Sequence, residues 1–394
     1  MLLFAPPPPT RNNVLPPIIP VTGLHNVERL ICSFLSLDAS PASNREILVS
    51  APGSLPVLKQ LFIHQLPDYH RRAKIELRHI TPLIKASGQS GLMLNNIEIL
   101  SAVLPFTISQ TFHYEVYCFY RKELLLDSPQ YAFPYYMVFN GGVILLSSDG
   151  HTALPLMEQE SISYFRNLFF ASRKKASPLI STCICPAEIL EVMLEADMTA
   201  RPLRTLEYQP CFAAFITESM VQKYIQPDIM NRGELTRALL LRVRQLASME
   251  RPSCIFSKDG LLDLAVDGTI SDFPAEYILP IDITDRIQLL KALYLSCKED
   301  RQFLRLVNPV TLSLPRHLSF IIRDEHSIDF GGYTSYGTSF NYVHITEPGI
   351  LESFEDFYDY LSKSSLVCTK EETLEEIESL IVSLSDKAYP LDRG

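Results

Sequence analysis

Apolar positions along this chain fall into two periods. From Gly23, Val27, Leu30, Ile31, Phe34 and Leu35 recur at helical spacing. Glu46–Ser50 reads as a short buried strand, Pro52 and Gly53 break the chain, and Leu55, Leu58, Leu61 and Phe62 mark a helix. Lys74–Ile80 alternates apolar and polar residues as a half-buried strand does, which completes a β-α-β unit with parallel strands. Asn96–Gln110 predicts a helix interrupted at Pro105, and Phe112–Tyr120 an aromatic strand. Two strands, Tyr135–Phe139 and Val143–Leu146, flank the turn Asn140-Gly141-Gly142, where positive φ is tolerated. A second turn, Ser148-Asp149-Gly150, leads toward a helix carrying Ile162, Phe165, Leu168 and Phe169.

Residues 186–300 read as mostly helical, with Leu235, Leu239, Val243 and Leu246 on one face and Ile287, Leu290, Leu293 and Tyr294 on another. Three strands follow, Leu318–Arg323, Ser327–Phe330 and Ser339–Ile345. A helix then starts near Gly349, with Leu351, Phe354, Phe357, Tyr358 and Leu361 on one side. The last helix opens with the capping box Thr369-Lys-Glu-Glu372 and carries Leu374, Ile377, Ile381 and Leu384 as its stripe, read as a buried face or an association surface. Hairpin-then-helix blocks near 135–172 and 318–363 suggest an internal duplication of architecture. The expected class is α/β to α+β, with mixed sheets and packed helices in two tandem halves. The expected division is a proline-rich disordered tail at 1–22, an N-terminal α/β domain at 23–185 and a C-terminal α+β domain at 186–394.

Composition narrows the function classes. The chain has 394 residues, 47% of them hydrophobic and 20% charged, which suits a packed core. Its formal net charge of −10 repels phosphate backbones, so direct nucleic-acid binding is not expected. The 8 cysteines are scattered, as buried thiols of a reducing, cytoplasmic protein are. No apolar run is long enough to span a membrane, and Met1-Leu2-Leu3-Phe4-Ala5 lacks the basic region of a signal peptide.

No dense chemical motif stands out. Cys183-Ile-Cys185 lacks the second pair that a zinc site needs, and His64, His70 and His79 lie in a basic segment without metal-ligand spacing. No metal and no cofactor is expected. Gly141-Gly142 and Gly331-Gly332 follow strands and are read as hairpin turns. Asp282, Asp285, Asp324, Glu325 and Asp329 could pair as acid and base, although Asp282 is placed to cap a helix. Arg232, Arg237, Arg242 and Arg244 form a basic face on one helix. The aromatic density of 112–139 gives the main ligand-binding candidates: Tyr114, Tyr117, Phe119, Tyr135 and Tyr136.

Several stretches are similar to the signal-receiving region attached to bacterial helix-turn-helix transcriptional regulators. They are Asn96–Phe106, Glu207–Cys211, Phe256–Leu261, Asp267–Ile270, Phe273-Pro274, Asp285–Leu290, Phe357–Leu361 and Lys370–Thr373. The resemblance implies regulation and supplies no ligand residues. Only the proline-rich 1–22 precede Gly23, with no pair of short helices and no basic recognition helix. The β-α-β start is also similar to phospholipase-D-like domains. Their activity needs His-x-Lys, and no histidine here has lysine two residues on.

The expectation is therefore a cytoplasmic, non-enzymatic sensor module in transcription regulation. It would bind a small-molecule effector or a protein partner, as a homodimer or with a separate DNA-binding subunit. The alternatives are an enzyme built from dispersed His64, His79, Asp282 and Asp324, or a structural adaptor using the proline tail and terminal helix.

Overall fold

The computed structural model describes residues 19–37, 45–61, 75–84, 90–109, 113–121, 132–183, 203–229, 231–248, 253–271, 277–299, 303–316, 318–323, 327–333 and 340–388. The chain divides into two compact units, residues 1–84 with 111–177, and residues 85–110 with 178–394. This differs from one cut after residue 185. Residues 85–110 group with the second unit because Ile99, Leu100, Val103 and Phe106 are buried on the helix they form, which packs on elements of that unit.

The first unit holds β1 (Val21–Thr22), α1 (Leu24–Leu37), β2 (Arg45–Ser50), α2 (Pro56–Gln60) and β3 (Ile75–Ile84). After the excursion helix α3 (Ser90–Ser109) come β4 (His113–Arg121), β5 (Tyr135–Phe139), β6 (Gly142–Leu146), β7 (Thr152–Leu156), α4 (Gln159–Arg173) and β8 (Ser177–Pro178), at whose Ser177 the first unit ends. The strands form one mixed sheet in the order β1-β7-β6-β5-β2-β3-β4-β8. β2, β3 and β4 are parallel, and β5, β6 and β7 add on antiparallel.

Helix α3 runs through Pro105 without a break. Burial on both sides of the proline outweighs its missing amide. Strand β7 was not anticipated, and Val21–Thr22, at the end of the proline-rich segment, pairs with it. Gly142 opens β6 rather than serving only the turn. A Cβ there would come within 2.6 Å of a Phe34 ring carbon and 2.7 Å of the Leu156 carbonyl oxygen. That close approach lets α1 seat Val27, Ile31 and Phe34 on this face of the sheet. The other face carries Leu48, Ile80, Val138 and Val143 under α4, through Ile162 and Phe169.

The second unit continues with β9 (Ser181–Cys183), β10 (Leu203–Glu207), α5 (Glu218–Tyr224), α6 (Arg232–Ser248), β11 (Ser253–Phe256), α7 (Lys258–Asp267), α8 (Ile283–Glu299) and β12 (Leu304–Leu306). Then come β13 (Leu318–Arg323), β14 (Ser327–Tyr333), β15 (Phe340–Ile345), α9 (Pro348–Ser362) and α10 (Lys370–Ala388). Its sheet runs β12-β11-β10-β13-β14-β15-β9, with β10, β11 and β12 parallel and β13, β14 and β15 antiparallel.

The two sheets thus share one connectivity. β4-β3-β2-β5-β6-β7 corresponds strand for strand, and in direction, to β12-β11-β10-β13-β14-β15, each followed by one helix, α4 or α9. The duplication expected from the hairpin-then-helix blocks is present, and it is larger than those blocks. Residues 186–300 were read as mostly helical, yet β10 and β11 sit within that span at the centre of the sheet. Strands of 5 and 4 residues are too short to show a period.

One face of this sheet packs Phe320 and Phe330 against Phe354 of α9, with ring centroids 5.5 Å apart in each pair. Opposite, Cys254, Phe256, Leu304 and Leu306 lie under α7, α8 and α10. Ile377 and Leu384 of α10 are buried in that core, so the terminal stripe is spent inside its own unit. Its capping box forms as read, with Thr369 N donating to Glu372 Oε2 at 2.7 Å and Glu372 N to Thr369 Oγ1 at 3.2 Å.

Candidate functional site

The five aromatic candidates lie on both faces of the first sheet. Alternation puts Tyr117, Phe119 and Tyr136 on the α4 side, where they pack on the core of Leu48, Ile80 and Phe169. Burial pushes the Tyr136 phenol up to about 12, with Tyr164 beside it adding to the effect. The Tyr117 ring lies under the Arg173 guanidinium, 4.7 Å from carbon to centroid, and its hydroxyl accepts from Arg173 Nη2 at 2.5 Å. It donates in turn to Glu115 Oε2 at 3.0 Å. Glu115 also accepts from Arg78 Nε at 3.2 Å, and Arg78 and Arg166 both pair with Glu46. This chain of ion pairs ties the end of α4 to the edge of the sheet.

Tyr114 and Tyr135 lie on the opposite face. Tyr135 is buried, and Tyr114 donates its hydroxyl hydrogen to His79 Nδ1 at 2.8 Å. His79 Nε2–H must be the donor to the Ala51 carbonyl, 2.7 Å away, because a carbonyl only accepts. The imidazole is fully buried, and this desolvation lowers its pKa to about 4, so it stays neutral. The first unit therefore places these five aromatic residues in packing and hydrogen-bond chains.

The second unit concentrates charge at three adjacent antiparallel strands. Register places Asp329 of β14 between Ile321 of β13 and His344 of β15, and Gly331 opposite Tyr342. Gly331 and Gly332 were read as a hairpin turn, but both lie inside β14, paired with Tyr342 and Asn341 of β15. Asp329 is 0% exposed and Arg323 1%. Arg323 Nε donates to Asp329 Oδ2 at 2.6 Å, and His344 Nδ1 donates to Oδ1 at 2.5 Å. Burial alone would raise the Asp329 carboxyl. The His344 hydrogen bond and the Arg323 charge outweigh it and hold the carboxyl below its ordinary value. The Tyr342 hydroxyl is driven well above the usual phenol range by burial, with the Asp329 charge adding to it.

His344 differs from its neighbours in being open, with 28% of its side chain exposed. Asp329 fixes the ring through Nδ1. A carboxylate that orients a partly exposed imidazole through one nitrogen is the geometry of a polar anchor or a general base. No group of three metal-ligating side chains occurs among the described residues.

Asp329 was legible in the sequence as a candidate acid; Arg323 and His344 were not. The available signal was a charge inside each of two apolar strands, Ile328-Asp-Phe330 and Val343-His-Ile345. Of the dispersed enzyme set, His64 and Asp324 lie outside the described residues, as do Glu325, His70 and Cys185. His79 is sealed in the first unit, and Asp282 caps α8, accepting from Asp285 N at 2.9 Å while pairing with Lys223. On the basic helix, Arg242 is buried and Arg244 forms a bidentate pair with Glu218 at 2.7 and 2.9 Å.

No family profile matches this chain. No curated protein matches it either. Among solved structures it is similar to the archaeal chromatin protein TrmBL2, described with a novel mode of DNA binding, at 14% identity and TM-score 0.26 over 43% of this chain; the match spans 56% of that protein. The phosphatidylserine synthase of Haemophilus influenzae Rd KW20 is similar at 10% identity and TM-score 0.30, over 94% of this chain and 93% of that one. The polyphosphate kinase of Porphyromonas gingivalis is similar at 8% identity and TM-score 0.26, over 94% of this chain and 55% of that one. At these values nothing about the chemistry of those proteins transfers.

Proposed function

We propose that this chain is a non-enzymatic regulatory or sensor module of the cytoplasm. It binds a small molecule or protein partner in transcription regulation, and His344 is the polar anchor of its site. One observation carries the binding part: a carboxylate without solvent access holds one nitrogen of a partly exposed imidazole. Burying Arg323 and Asp329 costs desolvation that a well-packed apolar pair would avoid. In return, an imidazole is held in one orientation on rigid strands, which is what a selective binding site requires. The regulatory part rests on the resemblance of its segments to signal-receiving regions. The described free thiols of Cys118, Cys254 and Cys297, all buried, are in keeping with a reducing compartment.

Native mass spectrometry of freshly purified protein tests this. A retained mass of hundreds of daltons, released on denaturation and lost in His344→Ala, is the expected result. A clean apo mass, together with no thermal shift from any compound of a metabolite library, would sink the reading.

A second reading is favoured by the same geometry. Asp329 and His344 have the arrangement of a general base and its orienting group, so the module could hydrolyse an activated ester. Turnover of chromogenic carboxylate and phosphate esters that disappears in His344→Gln would replace the sensor reading with this one.

A further inference from the structure

The duplicated fold places one helix after the last hairpin strand of each unit, α4 after β7 and α9 after β15. These equivalent helices expose large apolar side chains and carry opposite charge. On α4, Tyr164 is 63% exposed and Leu168, one turn on, 38%. Arg166 and Arg173 on the helix and Lys174 and Lys175 just past its end accompany them, against Glu160 and the N-cap Glu158. On α9, Phe357 is 43% exposed and Tyr360, one turn on, 69%. Glu352, Glu355, Asp356 and Asp359 surround them, with no basic residue within the helix and one, Lys363, at its C-cap. Arg166 and Asp359 are engaged within their own units. Among the described residues, Lys174, Lys175, Glu352 and Asp356 are exposed and have no charge partner.

We propose that copies of this chain self-associate through these two helices, the basic α4 of one copy docking on the acidic α9 of a second copy. Charge complementarity chooses the occupant. A second copy of either helix on itself would set like charges together, whereas α4 against α9 pairs opposite charges around the exposed Tyr164–Leu168 and Phe357–Tyr360 pairs. The contact is heterologous, using a different patch on each copy. Aromatic side chains at its centre supply apolar area, and the charged flanks set register and steer encounter.

Sedimentation velocity on the full chain tests the proposal across protein concentration. Salt is raised from about 0.01 M to about 1 M, which shortens the screening length from about 30 Å to about 3 Å. Two charge reversals are compared, K174E/K175E and E352K/D356K, each checked for an unchanged circular-dichroism melt. The wild type should associate reversibly and weaken with salt. Each reversal should weaken association by about tenfold or more, because like charges then meet. Mixing the two variants should restore it, since the two reversed patches then face each other and the two unchanged patches keep their opposite charges. A wild type that stays monomeric at low salt overturns the proposal. So does association that neither reversal changes, or variants that stay apart when mixed.

Discussion

The two units share a strand order and differ in where they put polarity. In the first, the hairpin strands β6 and β7 are apolar apart from their ends, and the face of Met137 and Ile144 is closed by α1. Its buried histidine, His79, is neutral and satisfied on both nitrogens. In the second, the corresponding strands β14 and β15 bring Asp329 and His344 together beside Arg323. One copy of the scaffold is thus optimised for packing, while the other spends stability on a desolvated charged group with an open edge. Duplication makes this division possible, because the same backbone ladder accommodates either chemistry.

The largest effect should come from moving the chemistry of one unit into the other. Ile144→Asp sets a carboxylate on the strand and face that match Asp329, without an arginine or histidine to receive it. We expect at least about 4 kcal/mol of destabilisation, read by urea unfolding. A loss below about 1 kcal/mol would show that this face is not sealed. The converse change, Asp329→Ala, strands the buried Arg323 charge and should cost about 3–5 kcal/mol. A loss near zero in the same measurement would mean that the charged group is solvated and the comparison is false.

Acid should separate the units next. The folded pKa of His79 lies below its unfolded value, so the native state resists a proton that the unfolded chain accepts. Its contribution is intact above about 6.5 and is lost as pH falls toward about 4, roughly 3 kcal/mol across the window. Asp329 is also depressed, so its contribution holds down to the ordinary carboxylate range near 3.8 and is lost only below it. Hydrogen exchange at pH 7.5 and pH 4.5 should therefore loosen β2 and β3 before β13 to β15. The reverse order would contradict the assignment of these protonation states. The smallest effect is Thr369→Ala, which removes one arm of the α10 capping box and should cost about 1 kcal/mol in the second unit alone.

Elements with a full period were legible beforehand. The stripe of α10, the cap at Thr369, the faces of α4 and α9 and the β2–β3 pairing all follow from side-chain spacing and local hydrogen bonding. The short strands β10 and β11 were hidden because five and four residues, mostly buried, carry no alternation. The continuity of α3 through Pro105 was hidden because local propensity opposes it and burial of Ile99, Val103 and Phe106 decides it. The aromatic candidates were visible as a cluster, but aromatic strands suit a core and a pocket equally.

What the sequence determined by itself is therefore the local grammar: caps, turns, helix faces and the repeated hairpin-then-helix order, all set within a few residues along the chain. Tertiary structure alone decided that residues 85–110 join the second unit, that the two sheets share one connectivity, and that Arg323, Asp329 and His344 meet. Those three residues come from separate strands whose register depends on cross-strand pairing. A charge in an apolar strand becomes a site only when the neighbouring strands deliver its partners.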